Sequence, residues 1–566
     1  MDATTVGRLF ARRPPLAAIS ATTVTSYLAL STNPSFVPVV LVLSCILVAA
    51  HDAALTSNDN TSAIILIHWL AVSVGGTLAR LGPSWSALST PWASLALSFV
   101  GIALHAAIAI GAARLSWWMA SPALHLPSWT QLVAFPAIWT VIEMGLSQTP
   151  VGRLLTWTPM SGYHAYTWTL PFVGVSAIDW LAGAWAVALS HGLIASQDVN
   201  EPYSDEDDAD DRAGHVQKSS SSKHLPLLVV LLAVLAAPLY VYSPSHAVDY
   251  GAEATLVPVA CILPPASDAT ALSRYLDESK KFVSTARLLV WPEAAVTVST
   301  REEKDHLFHQ VRGILNSQHY TWVAVSYLER VSGMEKFKNT LSILSHDAIL
   351  DFNYTKQHLV PLVESYHQIS SNVQPSVVDL PLEVHRGKHH ILHNVSISAS
   401  ICLDFASPLT FQNRTKPAIV LGPASTWHSQ IGEAMVAQAR ARALEIGSHI
   451  IWCDGGAGGQ SGVLSPYGDD SEFIQPRHDG SWVKTIAVSY PFEEPRTWYS
   501  ALGNFLALAV LCILIPTAGG GSAFLLQRGT GASKVAGGWA TSAKDALMAR
   551  LRGRAANERT PLLIDF

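Results

Sequence analysis

The stretch LLVWPEAAV, residues 288–296, decides the fold of the more polar half of this chain. Its apolar, branched residues run into Trp-Pro-Glu, a pattern that predicts a buried strand with Glu293 at its tip. Two later segments have similar chemistry, because YTKQHLVPLVE carries Lys356 and VSISASICLD runs from a strand into Cys402. All three residues therefore end or follow apolar strands, where folds of this kind present reactive groups.

The surrounding region, residues 246–497, alternates strand-like and helix-like runs. Strands are expected at 254–262, 321–328, 395–404, 449–453 and 483–489, a hairpin at 339–350, and helices at 267–285 and 433–446. Alternating strands and helices predict an α/β domain, with a layered sheet sandwich as its expected form.

The other half of the chain has the composition of a membrane protein. Hydrophobic residues make up 49% of the sequence and charged residues only 14%, against about 25% charged in soluble domains. Seven apolar runs are near the ~20 residues that a bilayer-crossing helix needs, and an eighth follows the α/β region. The expected spans are 15–31, 36–53, 62–80, 92–113, 128–146, 172–195, 225–244 and 499–518. An interfacial position for 15–31 or 128–146 remains an alternative.

Basic residues near the span ends predict the orientation. Arg8, Arg12 and Arg13 precede the first span, and a basic tail follows the last, so both termini are expected in the cytosol. Seven crossings then place the α/β domain outside the cytosol. The predicted domains are an N-terminal membrane domain 1–245 with an acidic cytosolic loop 196–224, a catalytic domain 246–497, a final span 498–518 and a cytosolic tail 519–566.

Several partner and cofactor classes are not expected. The net charge of −6 gives no reason to expect nucleic acid as a partner. Five cysteines cannot build a disulfide framework, and no histidine or cysteine spacing is typical of a metal site, so we expect neither a metal nor another cofactor.

Short motifs suggest an endomembrane protein. Sequons occur at Asn60, Asn353, Asn394 and Asn413; the last three lie in the outer domain and can be glycosylated if folding leaves them exposed. The tail segment ERTPLL, residues 558–563, resembles an endolysosomal or vacuolar sorting signal, although an arbitrary disordered tail is the alternative.

Glu293, Lys356 and Cys402 form a sufficient set for acyl transfer. A thiol needs a base to become a nucleophile, and a carboxylate in apolar surroundings has a raised pKa and can accept that proton. An ammonium group can hold the oxyanion of the tetrahedral intermediate. Each residue alone has a simpler interpretation, a buried inert thiol or a turn carboxylate, and only the combination favours catalysis.

The three segments VWPEAA, YTKQHLVPLVE and ICLD, in this order, resemble the signature segments of the nitrilase, or carbon–nitrogen hydrolase, superfamily. The KxHLVPxxE pattern and the plan of seven spans, an outer domain and a final span look most like apolipoprotein N-acyltransferase. Asn339, Trp427 and WTPMSGY, residues 157–163, are further similarities. The resemblance implies an α-β-β-α sandwich for the outer domain.

The resemblance also implies roles for single residues. Glu293 would be the general base, Lys356 the oxyanion-holding residue and Cys402 the nucleophile. Glu364, the backbone N–H of Leu403, and Trp427 would support the site.

Substrates follow from the same resemblance. A phospholipid would donate the acyl group and an amine-bearing protein or small molecule would accept it, with membrane lipids as the surroundings. Trp157 and Tyr163 match a segment at the substrate entrance. Glu143 precedes that segment, so an entrance role and structural pairing are both open.

The chain departs from the family pattern beside the site. Asp404 stands where Glu is usual, and residues 424–426 and 453–456 differ from the usual Asn-Asp and Asn-Thr-Gly. Substrate recognition is therefore open, and the acceptor cannot be named. A membrane-tethered amidase or nitrilase-type hydrolase, in which water replaces the amine, and a non-enzymatic relic are the alternatives.

Overall fold

The computed structural model describes residues 14–55, 58–119, 128–198, 224–241, 254–315, 321–347, 349–386, 389–408, 415–467, 472–490, 492 and 496–518. The N-terminal arginines, most of the acidic loop, the sequon at Asn413 and the segment 558–563 lie outside these residues.

Apolar helices make up the N-terminal part. They are α1 (Pro14–Ala29), α2 (Phe36–Leu55), α3 (Asn58–Ala79), α4 (Leu81–Trp85), α5 (Pro91–Met119), α6 (Ser128–Leu146), α7 (Leu170–Val173), α8 (Ser176–Asp198) and α9 (Leu225–Val241). Short 3-10 helices at Gly152–Leu155 and His164–Thr169 lie between α6 and α7. Each of the seven predicted apolar runs overlaps one of these α-helices.

Within the described residues, four helices are long and apolar enough to cross a membrane. They are Phe36–Leu55, Thr61–Ala79, Pro91–Met119 and Ser176–Ser196. Three other apolar helices are shorter: Leu16–Ala29, Leu132–Leu146 and Leu225–Pro238.

The α/β part has thirteen strands in the described residues. They are β1 (Ala254–Cys261), β2 (Leu288–Val290), β3 (Val296–Val298), β4 (Trp322–Arg330), β5 (Phe337–Leu344), β6 (Ile349–Thr355), β7 (Val378–Arg386), β8 (His389–Ala399), β9 (Ile419–Ala424), β10 (His449–Asp454), β11 (Gln460–Leu464), β12 (Phe473–Pro476) and β13 (Trp482–Ser489). The helices of this part and the C-terminal pair are α10 (Ala271–Lys280), α11 (Arg301–Ile314), α12 (Ser429–Ile446), α13 (Trp498–Leu502) and α14 (Asn504–Ala518).

The strands form two sheets. The first has the order β13-β1-β2-β4-β5-β6, with β3 paired to β4, and the second has the order β12-β11-β10-β9-β8-β7. In each sheet three neighbouring strands are parallel, β1-β2-β4 and β8-β9-β10. The carboxyl ends of these parallel strands carry the loops with Glu293, Cys402 and Trp427.

The two sheets pack face to face between layers of helices. Val290 of the first sheet and Ile397 and Trp452 of the second belong to one buried cluster. On the other face of the first sheet, α10 and α11 contribute a second cluster that includes Leu276 and Val311. With α12 covering the second sheet, the domain is the expected α-β-β-α sandwich.

Helix α12 also joins the sandwich to the membrane helices. Met435 and Ala439 pack into the core of the sandwich, whereas Ala437, Ala441 and Leu444 pack into the core of the bundle. The alanines are four residues apart, so they lie on one helix face and allow a close approach. The α/β part is therefore fixed against the bundle by a helix that is buried on both sides.

Three sequence expectations need correction. The expected strand 288–296 is divided into β2 and β3, because the Trp-Pro-Glu turn separates them and Pro292 has no N–H for a ladder. The helix α11 was not expected. The eighth apolar run is divided into α13 and α14 at Gly503, whose φ of 56° lies in the left-handed region.

A disulfide between Cys261 and Cys453 joins β1 of the first sheet to β10 of the second. Five cysteines do not make a framework, as the sequence indicates, but one cross-link is present among the described residues. It spans 192 residues of sequence, so it closes a long loop.

Candidate active site

Glu293 lies in the turn that follows β2. Its backbone N–H donates to the carbonyl of Ala424 at 3.3 Å, which fixes the turn against the end of β9 in the opposite sheet. Ala294, the next residue, has a φ of 53°, so this turn holds a conformation that a non-glycine residue rarely adopts. The side chain of Glu293 is buried and points its Oε1 at two donors.

Lys356 follows β6 directly and is fully buried. Its Nζ donates to Glu293 Oε1 at 2.7 Å and to both carboxylate oxygens of Glu364 at 2.8 Å. Glu364 Oε2 also accepts the backbone N–H of Val360 at 2.8 Å, which folds the segment 356–364 back on itself. The structure therefore places Lys356 against both Glu293 and Glu364, the two glutamates named from the sequence.

Cys402 begins a 3-10 helix, Cys402–Ala406, three residues beyond the end of β8. Its φ is 44°, a strained value for a residue with a Cβ atom. Both Cys402 and Leu403 are buried, and a hydrogen bond from the Cys402 thiol is among the influences that lower the pKa of Glu293. The structure thus brings Glu293, Lys356 and Cys402 together.

The charges of the cluster set its proton chemistry. Burial raises the pKa of Glu293 to about 7, against the opposing influence of Lys356. Burial and then the negative charge of Glu293 raise the pKa of the Cys402 thiol well above its ordinary value. Burial would lower the pKa of Lys356, but Glu293 and Glu364 raise it, so this residue stays charged. At neutral pH Cys402 is therefore a protonated thiol that lies beside a carboxyl group of raised pKa.

Asp404 is a positioning residue whose role the sequence did not indicate. Its carboxylate accepts from the N–H of Ile401 at 3.1 Å and from the Tyr354 hydroxyl at 2.7 Å. It also accepts from the backbone N–H groups of Gln357 at 3.1 Å and His358 at 2.7 Å. The turn with the nucleophile and the turn with the lysine are thereby held by one buried side chain.

Asn339 of β5 donates from Nδ2 to Glu293 Oε1 at 2.7 Å. The backbone N–H of Lys356 in turn donates to the Asn339 carbonyl at 2.9 Å. Because the side chain of Asn339 orients the carboxylate and its backbone orients the lysine, this residue links the two groups. The sequence identified Asn339 only as a similarity to the acyltransferase.

The three residues predicted to lie at the substrate entrance are all buried among the N-terminal helices. Trp157 and Tyr163 are both buried in the bundle core, and Glu143 is fully buried in α6. Glu143 interacts with His105 Nε2 at 2.9 Å and accepts the Trp157 backbone N–H at 3.1 Å. The structural pairing considered for Glu143 is therefore present.

Trp427 is not part of the hydrogen-bonded cluster. It lies beyond β9, is 42% exposed, and lines a cavity of about 280 Å³ between the α/β part and the apolar helices. Trp157 and Leu154 line the same cavity from the bundle side. Leu154 also packs against the core of the sandwich, so the cavity adjoins the catalytic part.

The 3-10 helix Gly152–Leu155 of the bundle contacts the 3-10 helix Cys402–Ala406. A Cβ atom on Gly152, whose φ is 56°, would lie 2.4 Å from the carbonyl oxygen of Ala406. Only glycine permits this approach, because any side chain would collide with backbone. The turn that presents Cys402 is therefore supported by a segment of the membrane part.

The fold and the Glu293–Lys356–Cys402 cluster together define a class of protein. Its members are two-sheet sandwiches with a buried glutamate, lysine and cysteine at the strand ends. No family model matches the chain. Among curated proteins the chain is similar to apolipoprotein N-acyltransferase from Shewanella oneidensis, with 22% identity over 493 residues, 79% of this chain and 85% of that protein.

Two solved structures are also similar to part of this chain. An amidase from Nesterenkonia sp. has 18% identity and a TM-score of 0.33, covering 45% of this chain and 96% of its own. A CN-hydrolase superfamily protein from Xanthomonas campestris has 17% identity and a TM-score of 0.32, covering 42% and 91%.

The predicted resemblance to the nitrilase superfamily, and within it to apolipoprotein N-acyltransferase, is confirmed. The acyltransferase match covers more of the chain than the α/β domain does, so it includes membrane helices as well.

Proposed function

We propose that the protein is a membrane-bound enzyme that transfers a fatty acyl group from a phospholipid to an amine through a thioester on Cys402. The observation that carries the proposal is the buried contact of Lys356 with Glu293 and Glu364 beside a strained cysteine. The likeness to an acyltransferase over most of the chain supports a lipid substrate.

The first half-reaction forms the acyl-enzyme. The Cys402 sulfur attacks the ester carbonyl carbon while its proton passes to Glu293, whose pKa of about 7 suits a base at neutral pH. Lys356 and the N–H of Leu403 hold the oxyanion. When the intermediate collapses, Glu293 returns the proton to the departing glycerol oxygen, and a lysophospholipid leaves.

The second half-reaction releases the acyl group. An uncharged amine attacks the thioester carbonyl, Glu293 takes a proton from its nitrogen, and the Cys402 thiol is regenerated. Water in place of the amine would release a fatty acid. The cavity between the sandwich and the membrane helices favours a lipid substrate over a small amide, because it opens a binding space beside apolar helices.

We also propose eight membrane spans, with the domain at 246–497 on the lumenal or extracytoplasmic side. The disulfide Cys261–Cys453 supports this orientation, since disulfides persist in oxidising compartments and are rare in the cytosol. We propose in addition that the protein resides in an endomembrane or vacuolar membrane and that its outer domain is glycosylated.

A product analysis tests the transfer reaction. Purified full-length protein would be incubated with a phospholipid and a small primary amine, and the lipids separated by mass spectrometry. We expect lysophospholipid in equal amount to an N-acyl amine, with Cys402→Ala giving neither. Free fatty acid that does not fall as the amine concentration rises would contradict transfer and identify a hydrolase.

A further inference from the structure

The cavity of about 280 Å³ between the catalytic part and the membrane helices contains a cationic side chain. Arg80, which follows α3, lines it together with Ser94 and Ser98 of α5, and Trp427 and Ile431 close it from the catalytic side. Among the described lining residues there is no carboxylate. The cavity therefore combines one guanidinium with hydroxyl groups, apolar walls and the imidazole of His105, which is paired with Glu143 at 2.9 Å.

Within the part of the chain that the structure describes, the guanidinium of Arg80 does not have hydrogen-bond partners for all of its N–H groups. Its Nε donates to the Leu30 carbonyl at 2.9 Å, but its Nη2 is buried and has no hydrogen-bond partner there. A buried guanidinium N–H without an acceptor costs free energy, and carboxylates or phosphates are the acceptors that guanidinium groups fit best. The arrangement is that of an anion site whose anion comes from a ligand.

The surroundings indicate which anion fits. Leu97, which lines the cavity, is 52% exposed, and Val100 and Leu104 on the same helix are 60% and 63% exposed. Such an apolar face is stable beside acyl chains rather than water. The volume lies near the low end of ligand pockets, about 300–1,000 Å³, so it suits a headgroup better than a whole lipid.

We propose that Arg80 binds the phosphate of a glycerophospholipid, whose headgroup occupies the cavity while its acyl chains lie along α5. This inference rests on the proposed function and deepens it, because Arg80 would select phosphate-bearing acyl donors over neutral glycerolipids. Arg80 is a specificity residue in this account, since the reacting groups belong to Glu293, Lys356 and Cys402.

Equilibrium binding to the full-length Cys402→Ala protein tests the proposal without turnover. The ligands are dioleoyl phosphatidylethanolamine, dioleoylglycerol with the same chains and no phosphate, and inorganic phosphate, each measured by native mass spectrometry in detergent. Adding Arg80→Met should weaken phospholipid binding about tenfold or more and leave dioleoylglycerol binding unchanged, because a charged hydrogen bond is lost. Arg80→Lys should restore part of the loss.

The matched control is Arg114→Met, which removes an exposed arginine of α5 that does not line the cavity. Equal phospholipid affinity in the Arg80→Met and control proteins would overturn the proposal. So would an equal loss for both lipids, which would indicate damage to the cavity, or saturation by inorganic phosphate with no preference for the lipid.

The two proposals fail separately. Arg80-dependent phospholipid binding in a protein that never acylates Cys402 would refute the reaction and retain the lipid site. Acylation of Cys402 at the same rate by phosphatidylethanolamine and dioleoylglycerol, in the otherwise unchanged protein, would retain the reaction and refute the role of Arg80.

Discussion

Cys402 has a positive φ of 44°, and Ala294, the residue after Glu293, has a positive φ of 53°. Non-glycine residues in this region cost about 1–3 kcal/mol each and persist only where surrounding contacts fix them. Such contacts are present, because Asp404 accepts the N–H of Ile401 beside Cys402 and the Ser326 hydroxyl accepts the N–H of Ala294 at 3.2 Å. Strain at the neighbour of the base and at the nucleophile is consistent with a site whose geometry serves chemistry rather than stability.

The raised pKa of Glu293 leads to a pH prediction. Below about pH 7 the carboxyl is protonated and cannot accept the thiol proton, whereas above it the carboxylate can. Alkylation of Cys402 by iodoacetamide should therefore accelerate as pH rises through about 7. Glu293→Gln should abolish this step and leave Cys402 slow at neutral pH.

The control for that experiment is the exposed Glu335→Gln, which should keep the wild-type profile. An unchanged alkylation profile in Glu293→Gln would remove Glu293 from the role of base.

Secondary-structure elements were predicted best from the sequence where the pattern of apolar residues is local. The hairpin 339–350 corresponds to β5 and β6, and the helix 433–446 lies within α12. The meeting of Glu293, Lys356 and Cys402 was expected from the family resemblance, because strand spacing alone does not say which strand ends adjoin. Helix α11 was missed although Thr300 and Glu303 form a visible capping signature, and Thr300 does accept the Glu303 N–H.

Contacts between residues far apart in the sequence could not be predicted, because a single sequence does not show which distant residues meet. The contact of Gly152 with Ala406 brings together a membrane segment and the nucleophile's turn. The disulfide Cys261–Cys453 needs the register of two sheets, and cysteine positions alone do not specify it.

The disulfide should stabilise the sandwich, since it joins the two sheets across a long loop. Replacing both cysteines by alanine should lower the stability of the catalytic domain by about 2–5 kcal/mol. Thermal unfolding of the full-length protein in detergent would measure this as a lower midpoint. Cys45→Ala, which removes a free thiol from α2, is the control and should change little.

If the double variant and the wild type have the same thermal unfolding midpoint under oxidising conditions, the cross-link has no structural role, and this prediction is contradicted.

At the scale of the whole molecule, the sandwich rests on the membrane bundle through α12 and through the 3-10 helix with Gly152. The Glu293–Lys356–Cys402 cluster therefore belongs to a domain that packs directly on the apolar helices, as the proposed lipid substrate requires. In the proposed reaction, burial of Cys402 would protect the thioester from water, and the apolar helices would hold the acyl chain.

The proposed orientation predicts glycosylation. Asn353 of β6 and Asn394 of β8 are exposed sequons on the proposed lumenal side, whereas Asn60 is expected on the cytosolic side. Expression in eukaryotic cells should give a mobility shift that glycosidase removes. Asn353→Gln with Asn394→Gln should reduce it, and Asn60→Gln should not.

A shift that depends only on Asn60 would mean that the chain crosses the membrane in the opposite sense.

The mass of the Cys402 peptide after incubation with a phospholipid of known acyl chains tests the central claim most directly. We predict a mass increase of one acyl group on Cys402, sensitive to hydroxylamine and absent from Glu293→Gln. An unmodified Cys402 peptide in a protein that still releases lysophospholipid would contradict the thioester mechanism.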